Sequence, residues 1–306
     1  MRLIVASSSL VAKPLVESLK ESNLHNLIAL ITNPDKPAGR GQNIEPNSLA
    51  VWAESQNLHI SKPSTPLEIN EIIHDLKPDL IITIAYGQLV PKDLLSHPKF
   101  GWINVHFSKL PKWRGAAPVQ WTILSGEVKA GLSIFKLDEG MDTGPVYVSC
   151  ELDIADNQTT EDVLKLLSLE CIPKVMETLQ LIELNVAPIP QSDQGISYAK
   201  KFSKNDGRIN WNTPATSVFD LYRAISHNPG IWSPFGDTRL RFNSLRPSDI
   251  KMDLNPGEIL IENEKLYVGA NPGVIEILQL TPAGRNHMSA SEFIRGLTSR
   301  TGLNLG

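Results

Sequence analysis

The chain has 306 residues, 41% hydrophobic and 20% charged, with a formal net charge of −4. That is the composition of a soluble globular protein, long enough for two domains that each bury a core. No apolar run is long enough to cross a bilayer, and Cys150 and Cys171 alone make neither a disulfide framework nor a zinc site, so a reducing, cytoplasmic setting is expected. The opening Met1–Leu19 has a short apolar core, but Lys13, Glu17 and Lys20 follow at once, and the segment reads as a first strand and helix rather than a signal peptide.

In chain order, residues 1–155 alternate short apolar runs with helical patterns, the signature of a doubly wound, mostly parallel, Rossmann-like sheet. The expected strands are Leu3–Ala6, Leu27–Ile31, Leu80–Ala85, Trp102–Phe107, Leu132–Leu137 and Val146–Leu152. A helix over Glu68–Leu76 has a marked start, with Thr65 as cap, Pro66 at the first position and Glu68 completing a capping box. Residues 160–184 read as an amphipathic helix on the spacing of Val163, Leu166, Leu167, Leu169, Val175, Leu179 and Ile182. Asn185–Gln194, rich in Pro, Asn, Gln and Ser, reads as a linker, giving a first domain over 1–184, a linker over 185–199 and a second domain over 200–306. In that last part the β-like runs Leu240–Leu245, Glu258–Ile261, Leu266–Val268 and Val274–Leu280 suggest a smaller C-terminal β-barrel of OB-like kind, or a sandwich. Charge is uneven: residues 1–199 carry −7 and residues 200–306 carry +3, which suits a polyanionic partner for the second domain.

Chemistry concentrates in Trp102–Pro118. Alternation along a strand sends Ile103, Val105 and Phe107 to one face and Asn104, His106 and Ser108 to the other, near a strand end expected at Leu110-Pro111. Open α/β sheets bind ligands beyond the carboxyl ends of their strands. An amide there can hydrogen-bond a developing oxyanion, and an imidazole can exchange a proton near neutral pH. A lone histidine would more often satisfy its neighbours, but Asn and His on one face at a strand end favour a site. A second segment, Leu137–Pro145, sets Met141-Asp142-Thr143 between two glycines, where a turn Asp commonly bonds its own backbone. Spacing alone leaves Asp138, Glu139 and Asp142 all open.

Asn104-Val-His106, Leu110-Pro111, Arg114-Gly-Ala-Ala-Pro118 and Gly140-Met-Asp142-Thr-Gly144 together resemble the folate-dependent formyltransferase family. The likeness extends to Asn33–Gly41, Ala85–Pro91, Tyr198–Lys201, Arg208–Trp211 and Pro282–Met288, so it spans nearly the whole chain. It implies Asn104, His106 and Asp142 as catalytic residues, 10-formyltetrahydrofolate as formyl donor, no metal, and acyl transfer without a covalent enzyme intermediate. The branch it is most similar to acts on initiator methionyl-tRNA, for translation initiation, and implies a monomer with no membrane partner. Folate is then expected beside Tyr86, Gly87 and Leu89 and against Ser108, Leu110 and Pro111, although Leu89 and Val90 also suit a core. The loop Pro34–Gly41, too broken for helix or strand, is implied to enter the acceptor stem through Lys36 and Arg40, with Lys204 and Arg208 as further tRNA contacts.

Departures from the family pattern are Ser7-Ser8-Ser9-Leu10 after the first strand, Phe107 and Lys109 beside the site, and Gln42-Asn43 where basic residues are usual. Two rival readings stand beside the first. One is a formyltransferase of the same family acting on an amino sugar, a purine precursor or water; the other is an inactive RNA-binding relative.

Overall fold

The computed structural model describes residues 1–38, 42–250 and 252–306. In chain order the elements are β1 (Arg2–Ala6), α1 (Lys13–Glu21), β2 (Asn26–Ile31), β3 (Lys36–Ala38), β4 (Asn43–Glu45), α2 (Ser48–Ser55), β5 (Ile60–Ser61), α3 (Pro66–Leu76), β6 (Leu80–Ile84), α4 (Lys92–Leu95), β7 (Trp102–His106) and β8 (Arg114–Gly115). There follow α5 (Pro118–Leu124), β9 (Lys129–Lys136), β10 (Val146–Asp153), α6 (Thr160–Glu183), β11 (Tyr198–Ala199), α7 (Ala215–Ile225), β12 (Ile231–Phe235), β13 (Thr238–Ser248), β14 (Ile259–Glu262), β15 (Lys265–Gly269), β16 (Val274–Pro282), β17 (Met288–Ser289) and α8 (Ala290–Arg295).

The first unit comprises Met1–Pro118, Lys129–Asp153 and Val163–Ala199. Its seven-stranded sheet runs β10-β9-β7-β6-β1-β2-β5. Strands β7, β6, β1, β2 and β5 are parallel, while β9 lies antiparallel to β7 and β10 antiparallel to β9. Parallel strands covered on both faces need nearly continuous apolar sequence; Leu3–Ala6 and, but for Thr83, Leu80–Ile84 supply it, and both are buried throughout. From β1 the chain winds outward to β2 and β5, then returns to β6 on the other flank of β1. That reversal is where an open sheet forms its ligand crevice. The expected start of α3 is present, with the Thr65 hydroxyl accepting from the Glu68 N–H and the Glu68 carboxylate returning to Ser64.

Three local expectations change. Pro34–Gly41 was expected as an irregular loop, yet Lys36–Ala38 pairs with Asn43–Glu45 as a short hairpin; the cross-strand bonds outweigh the low β propensity of this segment. Strand β7 stops at His106 rather than Leu110-Pro111, because Ser108 turns into the following loop. Residues 185–199, expected as a linker, are built into the first unit: Ile189 bridges Val146, and β11 pairs in parallel with β8.

The second unit comprises Val119–Val128, Ile154–Asp162 and Lys200–Gly306, so two segments placed by sequence in the first domain belong here. Its antiparallel sheet runs β12-β13-β16-β15-β14, with β17 added on β16. Phe242, Leu240, Val268, Ile275, Ile277 and Leu280 fill its interior. Trp211 meets Phe242 edge-on at 6.0 Å and donates its indole N–H to Ser233. Residues 303–306 bridge the sheet's two edges: Leu303 O accepts from Ile259, Leu305 donates to Gly257 O, and Gly306 donates to Pro234 O. This is the closure a barrel requires. Among the described residues, no helix is long and apolar enough to cross a membrane.

Candidate active site

Asn104 lies on β7 beside Thr83 of β6, its register partner. The Thr83 hydroxyl donates to Asn104 Oδ1 at 2.7 Å and stands 3.1 Å from Ile103 O. With its carbonyl engaged, the Asn104 amide is oriented so that its N–H groups are the part left to serve a ligand oxygen. Thr83 carried no signal in the sequence, since it sits in a run (Leu80–Ile84) that reads as pure core.

His106 ends the same strand and is only 5% exposed. Its Nε2 lies 2.9 Å from Trp113 O, and its Nδ1 lies 3.7 Å from Asp142 Oδ2. A carbonyl can only accept, so the neutral ring carries its proton on Nε2 and presents a bare Nδ1 to the carboxylate. Burial holds the imidazole below the ordinary histidine value, opposed by the Asp142 charge and by the hydrogen bond to Trp113. The resting ring is therefore neutral at pH 7, with an ion-pair partner waiting for it if a proton arrives. Phe135 closes the ring's edge at 6.3 Å.

Both groups that flank His106 sit in left-handed backbone: φ is +60° at Trp113 and +54° at Asp142. Such conformations cost a non-glycine residue on the order of 1–3 kcal/mol and persist only where the surroundings impose them. The surroundings here are specific. Asp142 Oδ2 accepts from the Gly115 N–H at 2.7 Å. The Gln191 side chain donates to Asp142 O at 2.8 Å and to Gly144 O at 2.7 Å, while its Oε1 accepts from the buried Arg114 guanidinium at 2.7 and 3.2 Å. Ser197 accepts from Trp113 N–H through its hydroxyl and from Arg114 N–H through its carbonyl. Gly115 has φ +121°, and a Cβ there would stand 2.8 Å from Ala199 O.

The three acidic candidates separate cleanly. Asp138 accepts from Gly140 N–H and the Thr143 hydroxyl and so braces its own loop. Glu139 pairs with Lys92 at 2.7 Å on the surface. Asp142 alone faces His106.

Of the expected folate contacts, Tyr86 is core. It is 4% exposed, and burial pushes its phenol up to about 12. Gly87 is exposed at φ +74° with open space around it. Leu89, suited by sequence to a core, is instead 84% exposed, as is Met141 at 65% beside Asp142. The Lys92–Glu139 pair ties the loops that carry these two apolar side chains. Ser108, expected to face the site with Asn104 and His106, is 1% exposed and spends its hydroxyl on Lys112 O. Leu110 is buried and donates its N–H to the Ser133 hydroxyl, and Pro111 is half-buried. The departures from pattern are absorbed locally. Phe107 is buried, Lys109 pairs with Glu151, and Ser9 caps a short 3-10 turn. Ser8 is bonded to Asn33 N–H and Tyr86 O.

Lys36 is exposed on its hairpin, and Arg40 lies outside the described residues. In the second unit Lys204 and Arg208 are exposed. Arg208 and Arg239 each stand 5.9 Å from the Trp232 ring, whose N–H is donated to Lys204 O.

Residues 1–170 match the family model described as formyl transferase, and residues 201–298 match the one described as formyl transferase, C-terminal domain. A methionyl-tRNA formyltransferase of Salinispora arenicola is 36% identical over 305 residues, covering 99% of each chain. Among solved structures, HypX of Aquifex aeolicus in complex with tetrahydrofolic acid has a TM-score of 0.67 at 18% identity. The match covers 97% of this chain and 48% of that one. A methionyl-tRNA formyltransferase from Clostridium thermocellum has a TM-score of 0.58 at 19% identity over 82% of this chain and 95% of that one.

Proposed function

The chain belongs to the formyl transferase family, and from that premise we propose that it moves the formyl group of 10-formyltetrahydrofolate onto the α-amino group of methionine on initiator tRNA. The observation that carries the reading is the convergence of Asn104, His106 and Asp142 at one strand end, in a chain that matches a methionyl-tRNA formyltransferase from end to end.

Each residue then has a distinct task. The Asn104 N–H groups, aimed by Thr83, donate to the formyl oxygen as the amine adds and negative charge grows there. Asp142 and the bare Nδ1 of His106 form the basic edge that takes the proton released as the new C–N bond forms. The same proton passes to the folate nitrogen as its C–N bond breaks, so the enzyme ends as it began. With Nε2 committed to Trp113, His106 works through Nδ1 and Asp142 rather than as a second oxyanion donor. The exposed Leu89 and Met141 offer apolar contact to the donor's flat ring, and Gly87 allows close approach to the backbone.

For the acceptor we assign Lys36 and Arg40 to the acceptor stem, and Lys204 and Arg208 to phosphates of the tRNA. Arg208, exposed beside the Trp232 ring, suits a nucleic-acid backbone, and contacts of this kind give binding that weakens with salt. The test supplies 10-formyltetrahydrofolate with charged initiator tRNA, free methionine, an amino sugar nucleotide, or no acceptor. Transfer confined to the tRNA supports the assignment. Formylation of the sugar, or donor loss without an acceptor, overturns the acceptor.

A further inference from the structure

The chemistry of one side chain decides how the Asp142 loop is held. Gln191 meets a donor on one side and two acceptors on the other: the Arg114 guanidinium can only donate, and the carbonyls of Asp142 and Gly144 can only accept. A primary amide is the one side-chain group that presents an acceptor and two donors at once. Arg114 fixes which way round that amide sits. It is 7% exposed, and among the described residues its side-chain hydrogen bonds go to Gln191 Oε1 alone. A buried guanidinium is costly to leave without an anion, so its use on a neutral amide calls for a function. The neighbouring residue, Gly115, donates its N–H to the Asp142 carboxylate. Arg114 and Gly115 thus reach Asp142 by two routes, one through its side chain and one through its backbone.

We propose that Gln191 and Arg114 are positioning residues for Asp142, holding its strained backbone so that the carboxylate stays against His106. Gln191 comes from the stretch whose composition reads as a linker, 49 residues beyond the carbonyl it binds. The proposal rests on the reading of Asp142 as part of the proton-accepting edge.

The test uses the full chain with Gln191→Met, which removes the polar contacts and keeps length and charge. Arg114→Lys, which loosens the grip on Oε1 without changing charge, is the second variant. Formyl transfer is measured beside an NMR titration of the His106 ring nitrogens. Because Asp142 is the charged group that acts on this ring, withdrawal of the carboxylate lowers the His106 pKa further. The kcat falls roughly ten- to a hundredfold, as for misplacement of a reacting group by about 1 Å, while the KM for the donor stays within about twofold. Arg114→Lys moves both readouts in the same direction by less, and decides the matter if Gln191→Met does not fold. A variant that melts earlier but keeps the wild-type His106 pKa and kcat overturns the proposal and leaves Gln191 a purely structural brace. Should the wild-type protein transfer no formyl group, the functional reading falls, and the titration still decides whether Gln191 positions Asp142.

Discussion

Gly144→Ala probes how rigidly the Asp142 loop is held. The backbone at Gly144 is outside the left-handed region, so alanine meets no dihedral penalty, and the effect is steric alone. A Cβ there would stand 1.8 Å from Lys136 O and 3.2 Å from the Phe135 ring. Ordinary contact needs about 3.4 Å, so the loop must retreat from β9 by about 1.5 Å, at a cost of about 1–3 kcal/mol in strain. The Gly115-to-Asp142 hydrogen bond is 2.7 Å long and the Asp142–His106 gap is already 3.7 Å. A retreat of that size breaks the first and opens the second. Displacing a reacting group by about 1 Å costs about a hundredfold in rate. Single-turnover formyl transfer should therefore fall at least about a hundredfold, with the melting temperature lowered by only a few degrees. Activity within about threefold of wild type, in a protein that folds normally, would refute the claim that the Asp142 loop is held rigidly.

Thr83→Val removes the hydroxyl that engages Asn104 Oδ1. The kcat should drop about tenfold, part of what losing a whole oxyanion donor costs, with the KM for the donor unchanged; steady-state kinetics decides it. Ser133→Ala strands the buried Leu110 N–H and Ser108 O, each bonded to that hydroxyl, and urea unfolding should show a loss of about 2–4 kcal/mol. The pH dependence of stability follows from His106. Its folded pKa lies below the unfolded value of 6.5, so the unfolded chain binds more protons under mildly acid conditions. Stability is fully present above about pH 6.5 and declines below it, by at most about 1.4 kcal/mol per pH unit for one group. His25, also lowered by burial, acts in the same direction. His106→Gln should flatten part of that decline in melts between pH 7.5 and 5, and an unchanged slope would show that the ring is not buried neutral.

Much of this was legible in the sequence. Continuous apolar runs fixed the parallel strands, because a strand buried on both faces has no alternative. Alternation along Trp102–His106 brought Asn104 and His106 onto one face, and the resemblance singled out Asp142 from Asp138 and Glu139, which the structure finds otherwise engaged. What escaped were residues whose role depends on distant partners. Thr83 looks like core until β7 is laid beside it. Gln191 looks like linker because composition reports polarity and says nothing of an arginine 77 residues away. Ser108 misled for a related reason: alternation continues on paper past His106, but the chain leaves the sheet there. Leu89 could be read either as core or as a folate contact, and only its exposure on a loop sets the core reading aside. Helix α7, with its buried Val218, Ala224 and Ile225, went unread among the β-like texture of the second half.

The return of residues 189–199 onto β8 and the Asp142 loop carries a consequence for the order of events during synthesis. The strands of the large sheet have all been translated by Asp153, well before the brace that finishes its reactive edge. A nascent chain can therefore bury most of its first core while Asp142 is still unclamped and Trp113 has no Ser197 to hold it. Competence arrives late, with the last dozen residues before the second unit's main segment begins. On the proposed role of Asp142, the growing polypeptide gains shape before it gains chemistry.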